Sequence, residues 1–337
     1  MIRHEIHTGP FRFEAGGFLE DLTVVFHTSA HRCGKVIWIC HALTANSDPE
    51  MWWPQMVGPG KTIDTDRNYV VCVNVPGSAY GTSGPASVNP STGKPWLLDF
   101  PAITIRDMVA VFIRVCERLD IGKIDLLVGS SIGGFQAIEW VVTEPERFEE
   151  AVFIATAPRI SPWATACSET QRMALEADPS FRAARDIRGG AAGLRCARAQ
   201  ALLTYRSFDG YGRTQNEPDE DCLFAGRAAS YERYQGEKLV RRGFDAYSYY
   251  YLCNALDSHN VGRGRGGLAK ALSRIRAHCT IVSIATDGLF PVQETAAWAP
   301  LVPGAEYRCI QSDFGHDGFL LETEQLSSIL EPLLCKY

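Results

Sequence analysis

Uninterrupted apolar runs alternate with stretches of helical spacing along most of this chain. The segments Val36-Ile37-Trp38-Ile39-Cys40 and Tyr69-Val70-Val71-Cys72-Val73-Asn74-Val75 are apolar at successive positions. That pattern marks strands covered on both faces, as in a parallel sheet flanked by helices. Two further strand candidates precede them, at 11–14 and 22–27. Between 104 and 119, Met108, Val111, Phe112, Val115 and Leu119 recur at helical spacing and predict a helix. It leads into the apolar stretch that starts at Ile124, and 150–156 predicts another buried strand. Near the C-terminus 279–285 and 307–310 repeat the pattern, each followed by a helical segment. Strands alternating with helices predict an α/β fold with a mostly parallel central sheet.

The pattern changes between 161 and 272. This stretch is rich in Arg, Ala and Tyr, has short helical periods and lacks long apolar runs. It reads as a helical lid insertion after the sixth parallel-type strand, covering one end of the sheet, with 1–160 and 273–337 forming the core. Tyr247, Tyr249, Tyr250 and Tyr251 supply large amphipathic faces suited either to packing within the lid or to an interface. No internal repeat or low-complexity tract is present.

Composition narrows the classes. At 337 residues and 46% hydrophobic, the chain can bury a large core. A net charge of −6 argues against nucleic-acid binding, which needs a clustered basic excess. No apolar run approaches the roughly 18 residues of a membrane span, and residues 1–7 lack the apolar core of a signal peptide. The expectation is a soluble, cytoplasmic protein with no membrane partner. The 11 cysteines include no C-x-x-C pair and several lie inside strand-like runs, which predicts reduced thiols. His4-x-x-His7 and His27-x-x-x-His31 have no matching partner cluster, so no metal site is expected.

The candidate chemistry centres on Gly129-Ser130-Ser131-Ile132-Gly133, between an apolar strand and a helical segment. Strand, G-x-S-x-G, helix is the context of a nucleophile elbow, which projects a serine above the sheet on a tight turn. Taken alone, the motif also fits a plain glycine-rich turn. A serine hydroxyl needs an adjacent base, and that base needs an orienting carboxylate. In the α/β-hydrolase fold the chain order is Ser, acid, His, with the last two after late strands. Asp287 follows the strand at 279–285 and His316 follows the one at 307–310. The rivals fit worse: His259 and Asp257 lie in the insertion, His278 precedes its strand, His41 precedes the elbow, and Asp313 precedes the histidine's turn. An oxyanion hole would take the backbone N–H of Ile132 and a second from the loop 41–44, Leu43 or alternatively Ala42.

Taken in order, these segments closely resemble the homoserine O-acetyltransferase family. The resemblance rests on His41-Ala42-Leu43-Thr44, Gly81-Thr82-Ser83-Gly84-Pro85, Asn89-Pro90-Ser91-Thr92-Gly93-Lys94-Pro95, the elbow through Trp140, and Ser230-Tyr231-Glu232-Arg233-Tyr234-Gln235-Gly236. It continues with Val261-Gly262-Arg263-Gly264-Arg265-Gly266-Gly267, Asp287-Gly288-Leu289-Phe290-Pro291 and Gly315-His316-Asp317-Gly318-Phe319, so it spans nearly the whole chain. It implies an α/β-hydrolase fold, a homodimer, no tightly bound cofactor, and a ping-pong transfer on the route to methionine. Acetyl-CoA would be the donor substrate and L-homoserine the acceptor, with Ser131 as nucleophile, Asp287 as acid and His316 as base. It also implies that Arg198, supported by Tyr205, clamps the acceptor carboxylate, with Arg206 as rival, and that Asp317 holds its ammonium. The plainer alternatives are a helix salt bridge for Arg198 and a turn residue for Asp317. Two departures leave donor and acceptor open: Pro76 in the loop 74–80, and Ala45-Asn46 where a glycine-aspartate pair is usual. Both loops are expected near the acyl pocket or its mouth. A succinyl-CoA-dependent enzyme, a serine acyltransferase and a serine ester hydrolase therefore stay in view.

Overall fold

The continuously apolar runs become strands with both faces covered. The computed structural model describes residues 1–335, in which one sheet is built from eight strands. They are β1 (Ile2–His7), β2 (Thr23–Thr28), β3 (Val36–Cys40) and β4 (Tyr69–Val73). After these come β5 (Ile124–Ser130), β6 (Phe148–Ile154), β7 (His278–Ile284) and β8 (Glu306–Ile310). The spatial order is β1-β2-β4-β3-β5-β6-β7-β8. β1 and β2 pair antiparallel, β2 joins β4 antiparallel, and from β4 to β8 the pairing is parallel. This is the expected α/β architecture.

Helix α1 (Ile105–Arg118) starts at a reciprocal cap: the Thr104 side chain accepts from the Asp107 N–H, and Asp107 Oδ2 accepts from the Thr104 N–H at 2.8 Å. Its face of Met108, Val111, Phe112 and Val115 is buried against the sheet. Helix α2 (Ile132–Thr143) is buried along almost its whole length, and Trp140 meets Trp38 edge-on at 4.9 Å between centroids. Helices α8 (Val292–Trp298) and α9 (Thr323–Leu334) complete the core.

The differences from expectation lie at the edges of the sheet. At the C-terminal edge the strand at 307–310 forms, but Glu306 to Cys309 are exposed rather than covered on both faces. The others lie at the N-terminal side. The strand expected at 11–14 does not enter the sheet. Phe11–Arg12 instead pairs with Phe18–Leu19 in a separate ribbon, turned by Gly16 and Gly17 at positive φ. β1 carries no hydrophobic run because it is an edge strand that stays largely exposed, with charged Arg3 and Glu5 alternating along it. The fourth expected strand ends at Val73, since Asn74 turns its amide to neighbouring loops, accepting from Ser47 N and donating to the Tyr80 carbonyl.

The segment 161–272 leaves the sheet after β6, the sixth sheet strand in chain order but only the fourth of the parallel set. It contains α3 (Pro162–Glu176), α4 (Ala191–Tyr205), α5 (Phe208–Gln215), α6 (Arg227–Arg241) and α7 (Ala246–Asp257). α4 packs between α3 and α6. The tyrosines of α7 turn inward: Tyr247, Tyr249 and Tyr251 are buried, and their hydroxyls donate to the Phe181 carbonyl, Gln171 Oε1 and the Phe100 carbonyl. They serve packing rather than an interface. Among the described residues no helix is long and apolar enough to cross a membrane.

Candidate active site

The loops at the carboxyl ends of the parallel strands converge, the position where open α/β sheets form their crevices. Ser131 follows β5 at φ 56°, a strained value for a residue with a side chain. Its neighbours make the turn feasible. A Cβ at Gly133 would collide with the Cys40 carbonyl at the end of β3, and one at Gly129 with the Gly133 carbonyl. The Ser131 N–H donates to the Ile154 carbonyl at 3.0 Å, anchoring the elbow to β6.

His316 and Asp287 arrive from β8 and β7. An ionised carboxylate only accepts, so His316 Nδ1–H donates to Asp287 Oδ2 at 2.8 Å, leaving Nε2 to accept from the Ser131 hydroxyl at 2.9 Å. Asp287 Oδ1 accepts from the N–H groups of Leu289 and Phe290, at 2.8 and 2.9 Å, so both carboxylate oxygens are held. The Thr286 hydroxyl joins the two loops, donating to the Ser312 carbonyl and accepting from the Gly315 N–H. Burial pulls the His316 pKa down, but the charge and hydrogen bond of Asp287 outweigh it, and the net shift is upward. The imidazole is caged by the rings of Tyr205, Phe290 and Phe319, at 5.7, 5.4 and 5.4 Å.

The rival residues are committed elsewhere. His259 is buried against Phe135 with Nε2 on the Ala157 carbonyl, and burial lowers its pKa to about 3. His41 is likewise buried, lowered to about 4. Asp257 pairs with Arg172, and Asp313 with Arg213. Arg263 and Arg265 of the glycine-rich stretch bind Glu14 and Glu139.

Two hollows meet at Ser131. The larger is a cleft of about 140 Å³ whose walls include Leu43, Ser131, Arg198, Tyr205, His316 and Asp317. The smaller, about 20 Å³, is bounded by Leu43, Ile132, Ala164, Cys167, Gln171 and Phe290 among others, and no charged side chain lines it. Leu43 and Ile132 thus flank the serine, and neither backbone N–H donates to an acceptor among the described residues. Ala42 and Ala45 line the cleft; Pro76 is buried and lines neither hollow. Arg198 reaches the cleft with its guanidinium 5.4 Å from the Tyr205 ring centroid. Arg206 does not reach it. It lies behind Asp317, with Nε 3.1 Å from Oδ2.

A profile of the alpha/beta hydrolase fold matches residues 35–323. A homoserine O-acetyltransferase from Chlorobaculum parvum is 41% identical over 328 residues, covering 94% of this chain and 90% of that protein. The chain belongs to the homoserine O-acetyltransferase family. A solved homoserine O-acetyltransferase from Staphylococcus aureus superposes with a TM-score of 0.82 at 27% identity, covering 99% of this chain and 95% of that one. An acetylester hydrolase from Corynebacterium glutamicum superposes with a TM-score of 0.86 at 24% identity, covering 99% and 96%. That second likeness shows the fold alone, which hydrolases and transferases share.

For a member of the homoserine O-acetyltransferase family, the charges around the cleft are therefore the telling part. Arg198 has no carboxylate within ion-pair distance among the described residues, and the same holds for Arg242, a cleft residue that sequence reasoning missed. Arg242 follows α6, and its charge acts on the Tyr80 hydroxyl, an influence present only in the folded chain. Asp317 lines the same cleft. Burial raises its pKa, against the pull of Arg206, Arg198 and His316.

Proposed function

We propose that this chain moves an acetyl group from acetyl-CoA to the side-chain hydroxyl of L-homoserine, through an acyl-enzyme on Ser131. The observation that carries this reading is a hydrogen-bonded Ser131–His316–Asp287 relay opening into a cleft lined by an unpaired arginine and a carboxylate. An amino-acid acceptor presents the complementary pair of charges.

In the first half-reaction His316 Nε2 takes the Ser131 proton as the oxygen attacks the thioester carbonyl. The N–H groups of Leu43 and Ile132 receive the oxyanion. Collapse breaks the C–S bond, the proton on His316 passes to the departing sulfur, and an acetyl ester stays on Ser131. In the second, the homoserine carboxylate binds Arg198 and its ammonium Asp317. His316 takes the hydroxyl proton, the oxygen attacks the ester carbonyl, and collapse returns the proton to Ser131. Asp287 keeps the imidazole in the tautomer both steps require and stabilises the imidazolium.

The smaller hollow supports acetyl over succinyl. A volume near 20 Å³ is about that of one water site, enough for a methyl group. A succinyl arm would bring a carboxylate into a space with no cation to meet it. Helices α3 to α7 act as a lid that keeps water from the acyl-enzyme. The insertion also exposes Phe208, Leu223 and Phe224, 91%, 85% and 82% accessible, which suits a homodimer contact. No tightly bound cofactor is needed, and the reaction belongs in the cytoplasm.

The test is a thiol-release assay crossing acetyl-CoA and succinyl-CoA with homoserine, serine and water. Rapid release with acetyl-CoA and homoserine alone is the expected result. Equal rates with water would make the chain a hydrolase, and a preference for succinyl-CoA would overturn the donor assignment.

A further inference from the structure

Asp317 has to receive a substrate ammonium, yet it already touches a cation of the protein. Arg206 Nε lies 3.1 Å from Asp317 Oδ2, with the two side chains 25% and 14% exposed. Asp317 lines the cleft and Arg206 does not, so Arg206 meets the carboxylate from the side away from the cleft.

Arg206 is itself held in place. It caps α4, one residue beyond Tyr205, where the chain crosses to α5. This junction is docked onto the loop that carries His316. Gly315 has φ 64°, and a Cβ there would come 2.8 Å from the Arg206 carbonyl carbon, so only glycine allows so close an approach. The Ser207 hydroxyl donates to the Asp313 carbonyl, and Arg213 pairs with the Asp313 carboxylate. On its far side Arg206 borders a separate hollow with Tyr211, Tyr231 and Phe314. Glu232 of α6, hydrogen-bonded to the Tyr211 hydroxyl, attracts it from there.

We propose that Arg206 is a positioning residue for the acceptor half-reaction: it holds the Asp317 carboxylate from behind, turned toward the cleft and ready for the acceptor's ammonium. This rests on the reading of Asp317 given under the proposed function. Four charged groups face Asp317: Arg206 from the α4–α5 junction, Arg198 from α4, His316 beside it, and Asp287 after β7. Burial favours the neutral acid, and Asp287 adds to that. The acceptor's own carboxylate neutralises Arg198 on binding. Arg206 is then the protein cation that still holds Asp317 charged, without touching substrate.

The experiment uses Arg206→Gln and Arg206→Lys in the full chain. Acylation by acetyl-CoA is followed in single turnover by the mass of the Ser131 peptide, and KM and kcat for homoserine are measured across the neutral range of pH. Arg206→Gln should raise the homoserine KM by about tenfold or more near neutrality, with the loss in acylation below about threefold. Because the Asp317 pKa rises when its cation is removed, the KM should fall again as the pH is raised. Arg206→Lys, which keeps the charge, should restore most of the affinity. A KM that stays at the wild-type value, or a loss shared equally by both half-reactions and flat with pH, overturns the assignment and leaves the parent reading intact. If the wild type itself fails to transfer to homoserine, the parent reading falls and this assignment with it.

Discussion

The two walls of the cleft are held by different forces. On the sheet wall, Ser131, Asp287 and His316 each sit within a few residues of a strand end, and backbone contacts fix all three. On the lid wall, Arg198, Tyr205 and Arg206 project from one helix and its cap, and they are placed by a ring stack and an ion pair. The groups read as reacting thus come from loops that the backbone ties to the sheet. The groups read as selecting the acceptor come from a helix whose neighbours are other helices of the insertion. Such a division lets acceptor recognition change without disturbing the relay, and it makes the two walls separable by mutation.

The sharpest separation comes from the sheet wall. Ser131→Ala should lower acyl transfer by a factor on the order of 10^6 with both substrates, because the covalent attachment point is gone. Incubating the wild type with acetyl-CoA should add one acetyl mass to the peptide containing Ser131, and the variant should add none. Labelling at another residue would remove Ser131 from its role. Asp287→Asn comes next, with a loss of about 10^4 in kcat. The pH profile carries the sign. Acylation needs neutral His316, so the wild-type rate should climb with pH and reach half its plateau above the ordinary histidine value of 6.5. Without the Asp287 charge, burial is left as the largest influence, and the midpoint should move down. A midpoint that rises or stays would mean that the imidazole is not tuned by Asp287.

The same division explains what was legible in the sequence. The elbow is readable because backbone crowding at Gly129 and Gly133 forces glycine at fixed spacing from Ser131. Asp287 is readable because it follows β7, an apolar run. β8 before His316 is a largely exposed edge strand, so His316 is readable mainly from the Ser, acid, His order along the chain. Arg198 and Arg206 could not be ranked from the residues, since which of them reaches the cleft depends on how α4 sits between α3 and α6. Arg242 gave no signal, because its link to Tyr80 exists only in the folded chain. The edge strand β1 was invisible for a related reason: an exposed strand has no buried face to write into the pattern. The tyrosines of α7 fitted either packing or an interface until their hydroxyl partners were placed.

Arg198→Ala probes the lid wall. Removing a charged partner from a closed site costs about 2–5 kcal/mol, so the homoserine KM should rise by about thirtyfold or more. Acylation by acetyl-CoA should lose far less, since in the proposed reading Arg198 meets only the second substrate. Comparable losses in both half-reactions would instead make Arg198 a contact for the donor, and the two walls would no longer divide by substrate.

The mildest test asks whether the lid wall is set from within the insertion. Tyr249 is fully buried in α7, and its hydroxyl donates to Gln171 Oε1 of α3 at 2.7 Å. It also influences the Tyr205 hydroxyl, and the Tyr205 ring packs on both Arg198 and His316. Tyr249→Phe keeps the ring and its volume but removes the donor. The net cost of one such bond is about 1 kcal/mol, which for a chain of this size is about 1–2 °C in the thermal midpoint. With Tyr205 less firmly held, Arg198 should lose some of its orientation, and the homoserine KM should rise about twofold. Acylation should follow the wild type, because no contact of Ser131 or Asp287 passes through Tyr249. A variant that loses acylation and acceptor affinity together would show that the lid supports the sheet wall as well, and that the independence of the two walls is only apparent.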